Sequence, residues 1–169
     1  MRKLISFSLL TLLFVVGCGK DSRSLLDEAK SLAMQQKGKE ALALFEQITR
    51  EHPDSDEAPE ALFASAGLYL NVQNDAHKAA SAYELVCEKY PASEFGHKGL
   101  FAAGYTYANT IGNIERAREV YDRYLKQYPD SSMAETARFE LEHLGMSPEE
   151  LLESLQESND QSAPSASEN

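Results

Sequence analysis

The chain has 169 residues, 43% of them hydrophobic, with 16 Lys+Arg against 27 Asp+Glu and a formal net charge of −11. That length suits one domain with tails, and the acidic balance argues against nucleic acid or an anionic membrane surface as the partner. Nine Gly, six Pro and no Trp speak against a turn-rich β protein, two cysteines cannot build a disulfide framework, and no apolar run reaches the roughly 20 residues of an ordinary transmembrane helix.

Residues 1–18 read MRKLISFSLLTLLFVVGC. Arg2 and Lys3 precede an apolar run over 4–16, the layout of a secretory signal. Its end, Val15-Val16-Gly17-Cys18, resembles the bacterial lipobox. The resemblance implies that residues 1–17 are removed and that the Cys18 thiol and the new amine are acylated, so that lipid on Cys18 holds the protein to a membrane. Gly19 stands where an Asp favours inner-membrane retention, which points to the outer membrane. Arg2 and Lys3 leave with the signal and no acid goes with them, so the net charge falls from −11 to −13. Residues 18–23 form a short tether of about 20 Å at most, at roughly 3.5 Å per residue. Cys87, among Leu85, Val86 and Tyr90, reads as a small buried hydrophobe.

The middle of the chain repeats. Residues 41–55 (ALALFEQITREHPDS), 79–93 (AASAYELVCEKYPAS) and 117–131 (AREVYDRYLKQYPDS) align at an interval of 38. Ala41, Ala79 and Ala117 match, as do Phe45, Tyr83 and Tyr121; Ile48, Val86 and Tyr124; His52, Tyr90 and Tyr128; and Pro53, Pro91 and Pro129. A small residue allows close helix approach, and an aromatic four residues later fills the gap on the same face. Proline then stops the helix, and Ser55, Ser93 and Ser131 stand ready to cap the next one. Ser132-Met133-Ala134-Glu135 has the spacing of a capping box. Phe63, Phe101 and Phe139 carry the same period in the preceding helices. Helices are expected near 24–36, 39–51, 56–73, 76–89, 94–111, 114–127 and 131–144.

This arrangement resembles the tetratricopeptide repeat family, over residues 24–145. Gly67 and Leu70, then Gly104 and Tyr107, fit its first helix (helix A), and Asn74 and Gly112 fit the turn into its second (helix B). The period of 38 exceeds the family's usual 34, and the first unit looks irregular because Gly38 lies only three residues before Ala41. The Tyr-Pro-Asp-Ser and His-Pro-Asp-Ser endings are similar to those of bacterial envelope members, such as the lipoprotein of the outer-membrane β-barrel assembly machinery and the periplasmic partner of the Tol-Pal system. The resemblance implies an all-α, helix-turn-helix solenoid of about three and a half repeats. It also implies a concave groove lined by A helices, in which protein or peptide partners lie. Leu68, Asn71, Val72, Phe101, Tyr105, Ala108 and Asn109 are expected to face that groove, with Asn71 and Asn109 as a stacked pair of amides. The basic clamp for acidic chain ends is not matched, since helix A offers Lys98 alone.

Ser147-Pro148-Glu149-Glu150 opens a further helix, whose Leu151, Leu152 and Leu155 would cover the end of the stack over 146–157. Residues 158–169 lack apolar periodicity and read as a disordered tail. The four histidines form no HExxH pattern, no Cys/His cluster exists, and Gly96-His97-Lys98-Gly99 lacks the setting of a phosphate loop. His52 reads as a helix-end packing residue. No catalytic residue, metal, cofactor or small-molecule substrate is expected. The expected role is a lipid-anchored adaptor in an envelope complex, with a surface-exposed lipoprotein binding host or environmental ligands, or a pilus-biogenesis lipoprotein, as alternatives.

Overall fold

A computed structural model describes residues 20–162. The signal, Cys18 and residues 163–169 lie outside the described residues. Eight α-helices follow one another: α1 Ser22–Met34, α2 Gly38–Glu51, α3 Ala58–Asn71, α4 Ala76–Lys89, α5 Glu94–Tyr105, α6 Ile114–Gln127, α7 Ala134–Glu142 and α8 Pro148–Ser162; a π-helical segment, Thr106–Ile111, continues α5. Among the described residues there is no strand, and no helix is long and apolar enough to cross a membrane. The chain is an all-α solenoid: α1, α3, α5 and α7 are A helices, α2, α4 and α6 are B helices, and each packs against its neighbours in sequence.

The 38-residue period is a period of geometry. Each B helix has 14 residues and ends on a residue of the same conformation: His52, Tyr90 and Tyr128 have φ near −130° and ψ of 50°, 54° and 54°. Their backbone N–H groups bond the carbonyls of Ile48, Val86 and Tyr124. Ala41, Ala79 and Ala117 are fully buried, as are Ile48, Val86 and Tyr124. The turn into each B helix also repeats. Gln36, Asn74 and Gly112 all adopt left-handed backbone, with φ of 60°, 55° and 74°. The first unit is therefore regular, and Gly38 is not its turn residue. Gly38 opens α2, where a Cβ would strike Val72.

Two devices clip one unit to the next. The Tyr90 hydroxyl donates to the Pro53 carbonyl at 2.8 Å, and that of Tyr128 to the Pro91 carbonyl at 3.0 Å. The second device also joins successive units: Tyr69 of α3 donates to Glu46 of α2 at 2.7 Å, and Tyr107 of the third unit to Glu84 of α4 at 3.0 Å. Lys78 lies over the Tyr69 ring and Arg116 over the Tyr107 ring, at 3.9 and 5.7 Å. Arg116 and Arg123 both bond Glu84.

Several local expectations are corrected. Of the three serines, only Ser93 caps through its side chain, accepting from the Gly96 N–H. Ser55 Oγ is buried without a partner, and Ser131 Oγ is engaged by the Tyr124 hydroxyl. After both, an extra turn intervenes, so α3 and α7 start at Ala58 and Ala134, and the residues just before them, Glu57 and Met133, make no side-chain cap. The capping box at Ser132 does not form. It forms at the next helix instead, where Ser147 and Glu150 bond each other's backbone N–H groups. The expected uniform helix over 94–111 changes to π geometry at Thr106, and α8 runs past its expected end to Ser162.

Candidate functional site

Two clefts open between successive A helices. The first, about 520 Å³, lies between α1 and α3, with Ala33 and Met34 on one wall, Gly67, Leu68 and Asn71 on the other, and Phe45 of α2 between them. Its surface is almost wholly apolar. Met34 is 81% exposed, an unbranched and polarizable side chain open to solvent where a contact could adapt to it. Lys30 stands at its edge and is paired with Glu60 at 2.5 Å.

The second cleft, about 490 Å³, lies between the π-helical segment and α7 and is lined by Tyr105, Ala108 and Asn109 on one side and Phe139, Glu140 and His143 on the other. The π segment's wider turns, made by i→i+5 bonds, set its residues in distinct directions. Tyr105, at its start, is half exposed at the cleft, Thr106 is buried and donates to the Ala102 carbonyl, and Tyr107 turns inward to Glu84. Between the two clefts α3 and α5 touch, and Phe63 meets Phe95 with ring centroids 5.6 Å apart.

The expected groove residues thus fall into three groups. Leu68 and Asn71 line the first cleft; Tyr105, Ala108 and Asn109 line the second. Phe101 and Val72 line neither. Phe101 is a packing residue, edge-on to Tyr121 and Tyr124 at 5.7 and 5.8 Å, because the face that meets α6 carries the period of Phe63 and Tyr83. Val72 lies where the backbone of Gly38 leaves room for it. Asn71 and Asn109 do not form a stacked pair. They line different clefts, and the Asn109 amide donates to the Tyr105 carbonyl at 3.2 Å. Lys98 pairs with Glu94 on its own helix, away from both clefts.

Sequence reasoning missed the polar repeat. Glu46 and Glu84, Tyr69 and Tyr107, and Lys78 and Arg116 are each 38 residues apart, and the same interval that exposed the apolar repeat would have found them. Burial, aided by the neighbouring carboxylate, holds the Tyr69 and Tyr107 phenols above their ordinary range, so both stay protonated as donors. Cys87 is buried, and its thiol donates to Gln127 Oε1 and meets the Tyr128 hydroxyl, both at 3.3 Å. His52 is half-buried at its helix end. Among the described residues no group of His, Cys, Asp and Glu could hold a metal ion.

Comparison with known families matches residues 26–94 and 99–131 to two profiles, both described as tetratricopeptide repeat. Together they span most of the α1–α6 array, and their boundary falls at the start of the third unit. No curated protein matches the chain.

Proposed function

We propose that this chain, a member of the tetratricopeptide repeat family, is a lipid-anchored adaptor that holds protein partners in a bacterial envelope complex at the periplasmic face of the outer membrane. The repeats make it a scaffold for protein–protein contact. The observation that carries the adaptor reading is the first cleft: an apolar opening between two A helices, with exposed Met34 and half-buried Leu68 on its walls and buried Phe45 behind them, where Met34 offers a partner an uncovered apolar contact. A partner's apolar side chains would enter there, with Asn71 and Lys30 at the edge to fix its backbone or an acidic group. The reading assigns the protein no reaction and no cofactor.

Lipobox-like Val15-Val16-Gly17-Cys18 supports the anchor. Since α1 starts at Ser22, Gly19, Lys20 and Asp21 are all that would separate a lipidated Cys18 from the first helix. That is roughly 10–14 Å of chain, shorter than the tether expected from sequence, and it would hold the repeats against the lipid surface. Two measurements test the reading. Labelling with a radioactive fatty acid should mark the wild-type chain and not Cys18→Ser, and a Cys18→Ser chain that still labels and sediments with membranes ends the anchor assignment. In capture from solubilised envelopes, Leu68→Glu with Asn71→Ala should release the partners that wild type retains; retention of every one would remove the first cleft from the binding surface.

A further inference from the structure

The stack of B helices stops one short, and this end is a second interaction surface. In the second and third units the A-helix phenylalanine is covered by a B-helix tyrosine: Phe63 meets Tyr83 at 5.1 Å, and Phe101 meets Tyr121 at 5.7 Å. Phe139, one period later, has among the described residues no tyrosine ring against it, meets the ring of His143 on its own element at 4.2 Å, and remains 42% exposed. The Pro53 and Pro91 carbonyls each accept a tyrosine hydroxyl from the following unit; no described hydroxyl reaches the matching carbonyl of Pro129. Asp122, in the place of Glu46 and Glu84, is exposed where they are clamped.

The helix that follows does not fill the vacancy. α8 overlaps the stretch where a fourth B helix would fall, yet it has Leu155, Asn159 and Ser162 where α6 has Ala117, Tyr121 and Tyr124. Leu151 reaches the second cleft from its first turn, while Leu152 and Leu155 are 59% and 38% exposed. Charge opposes closer packing. Residues 130–156 carry seven carboxylates and one basic residue, Arg138, whereas residues 20–129 carry 17 acids and 13 basic residues. The ion pairs among the described residues all lie before Asp130. An acidic helix beside an acidic end is repelled, and a basic one is drawn in.

We propose that the open end takes a basic amphipathic helix of another protein, which packs on α7 in the fourth B position. Its apolar face covers Phe139, an aromatic hydroxyl can reach the Pro129 carbonyl, and its Lys and Arg meet Glu140, Glu142 and the acids of α8. This surface shares Phe139 and Glu140 with the second cleft but nothing with the first, so it stands or falls independently of the first cleft.

The probe is a fluorescein-labelled peptide of residues 114–128, the α6 sequence, carrying Glu115→Lys and Glu119→Lys to make it basic. It is titrated by anisotropy into the full chain in non-ionic detergent. Binding should be saturable and weakened by added salt. A scrambled peptide of the same composition should bind about tenfold more weakly, and Phe139→Glu or the surface variant Glu140→Lys/Glu142→Lys should weaken the true peptide by a similar factor. Leu68→Glu should leave binding unchanged. Circular dichroism establishes that each variant is folded, and the charge-reversal pair provides the answer if Phe139→Glu is not. Equal binding of the scrambled peptide, or indifference to both sets of substitutions at α7, overturns the proposal. So does a concentration-dependent dimer in sedimentation that Phe139→Glu abolishes, because the end would then belong to a second copy.

Discussion

Phe101 and Phe139 are the same residue at the same place in successive units, and they meet different fates. Phe101 packs edge-on against Tyr121 and Tyr124 of α6; Phe139 faces solvent because no B helix follows it. The centre of the array, α4 to α6, has both kinds of clip: a tyrosine hydroxyl on the preceding proline carbonyl and a glutamate held by a tyrosine and two arginines. The end, α7 and α8, has neither among the described residues. In a one-dimensional array each unit is stabilised by its neighbours, so burial belongs to the pair of units and not to the residue. The difference teaches that a period read in one unit states what a side chain could do, and the next unit decides whether it does.

The sharpest way to break this contrast is a pair of truncations. Tyr121 is fully buried, and Gly104 lies so close that a Cβ there would stand 2.8 Å from its ring. Tyr121→Ala should cost about 3–5 kcal/mol in urea unfolding, and Phe139→Ala less than about 1 kcal/mol. Similar values for the two would show that the end is packed as firmly as the centre. Next in size is Glu84→Gln, which leaves Arg116 and Arg123 facing a neutral amide in a part-buried setting. It should cost about 1–3 kcal/mol, against a change within about 0.5 kcal/mol for Glu140→Gln at the end.

Alkali offers a graded test. Burial holds the phenols of Tyr69, Tyr83, Tyr90, Tyr107, Tyr121 and Tyr128 above their ordinary value of 10.0, and carboxylates near Tyr69 and Tyr107 add to it. The unfolded chain then ionises first. Stability is fully present below about pH 10 and falls as the pH rises beyond it. The urea midpoint should drop through that range, and Tyr69→Phe combined with Tyr107→Phe should flatten the drop. A midpoint that rises with pH there would contradict the assignment. The smallest effect is at the shared left-handed turn: Gln36→Gly should stabilise by about 0.5–1 kcal/mol, whereas Gly112→Ala should destabilise by about 1 kcal/mol. Opposite signs in thermal melts are the signature of one backbone position used by both units.

Helix order and the B-helix bounds were legible in the sequence because Ala, aromatic and Pro recur at fixed offsets, and each has a local mechanical reason. The αL turn was legible at Asn74 and Gly112 and hidden at Gln36, since glutamine gives no sign of positive φ. The start of α7 was misread because Ser131 and Ser132 look like caps, and only the folded chain brings the Tyr124 hydroxyl onto Ser131. Of the seven residues expected at the groove, five line a cleft. Leu68, Asn71, Tyr105, Ala108 and Asn109 line clefts, while Phe101 and Val72 do not, because Phe101 packs on Tyr121 and Tyr124 of α6 and Val72 takes the room left by Gly38. The division of the groove into two clefts depends on α3 meeting α5, a contact between units that no local pattern records.

The clips have one more consequence. Tyr90 on Pro53 and Tyr128 on Pro91 are made by residues 37 apart, and the B helices that carry them have one length and one end geometry. Any stretch of 38 residues that starts and stops at the same phase therefore brings a complete set of joints. The molecule is in this sense a ruler with one graduation. A second copy of residues 76–113 placed after the first would lengthen it by a whole mark and leave both ends as they are, whereas an insertion of 34 would leave every joint out of step.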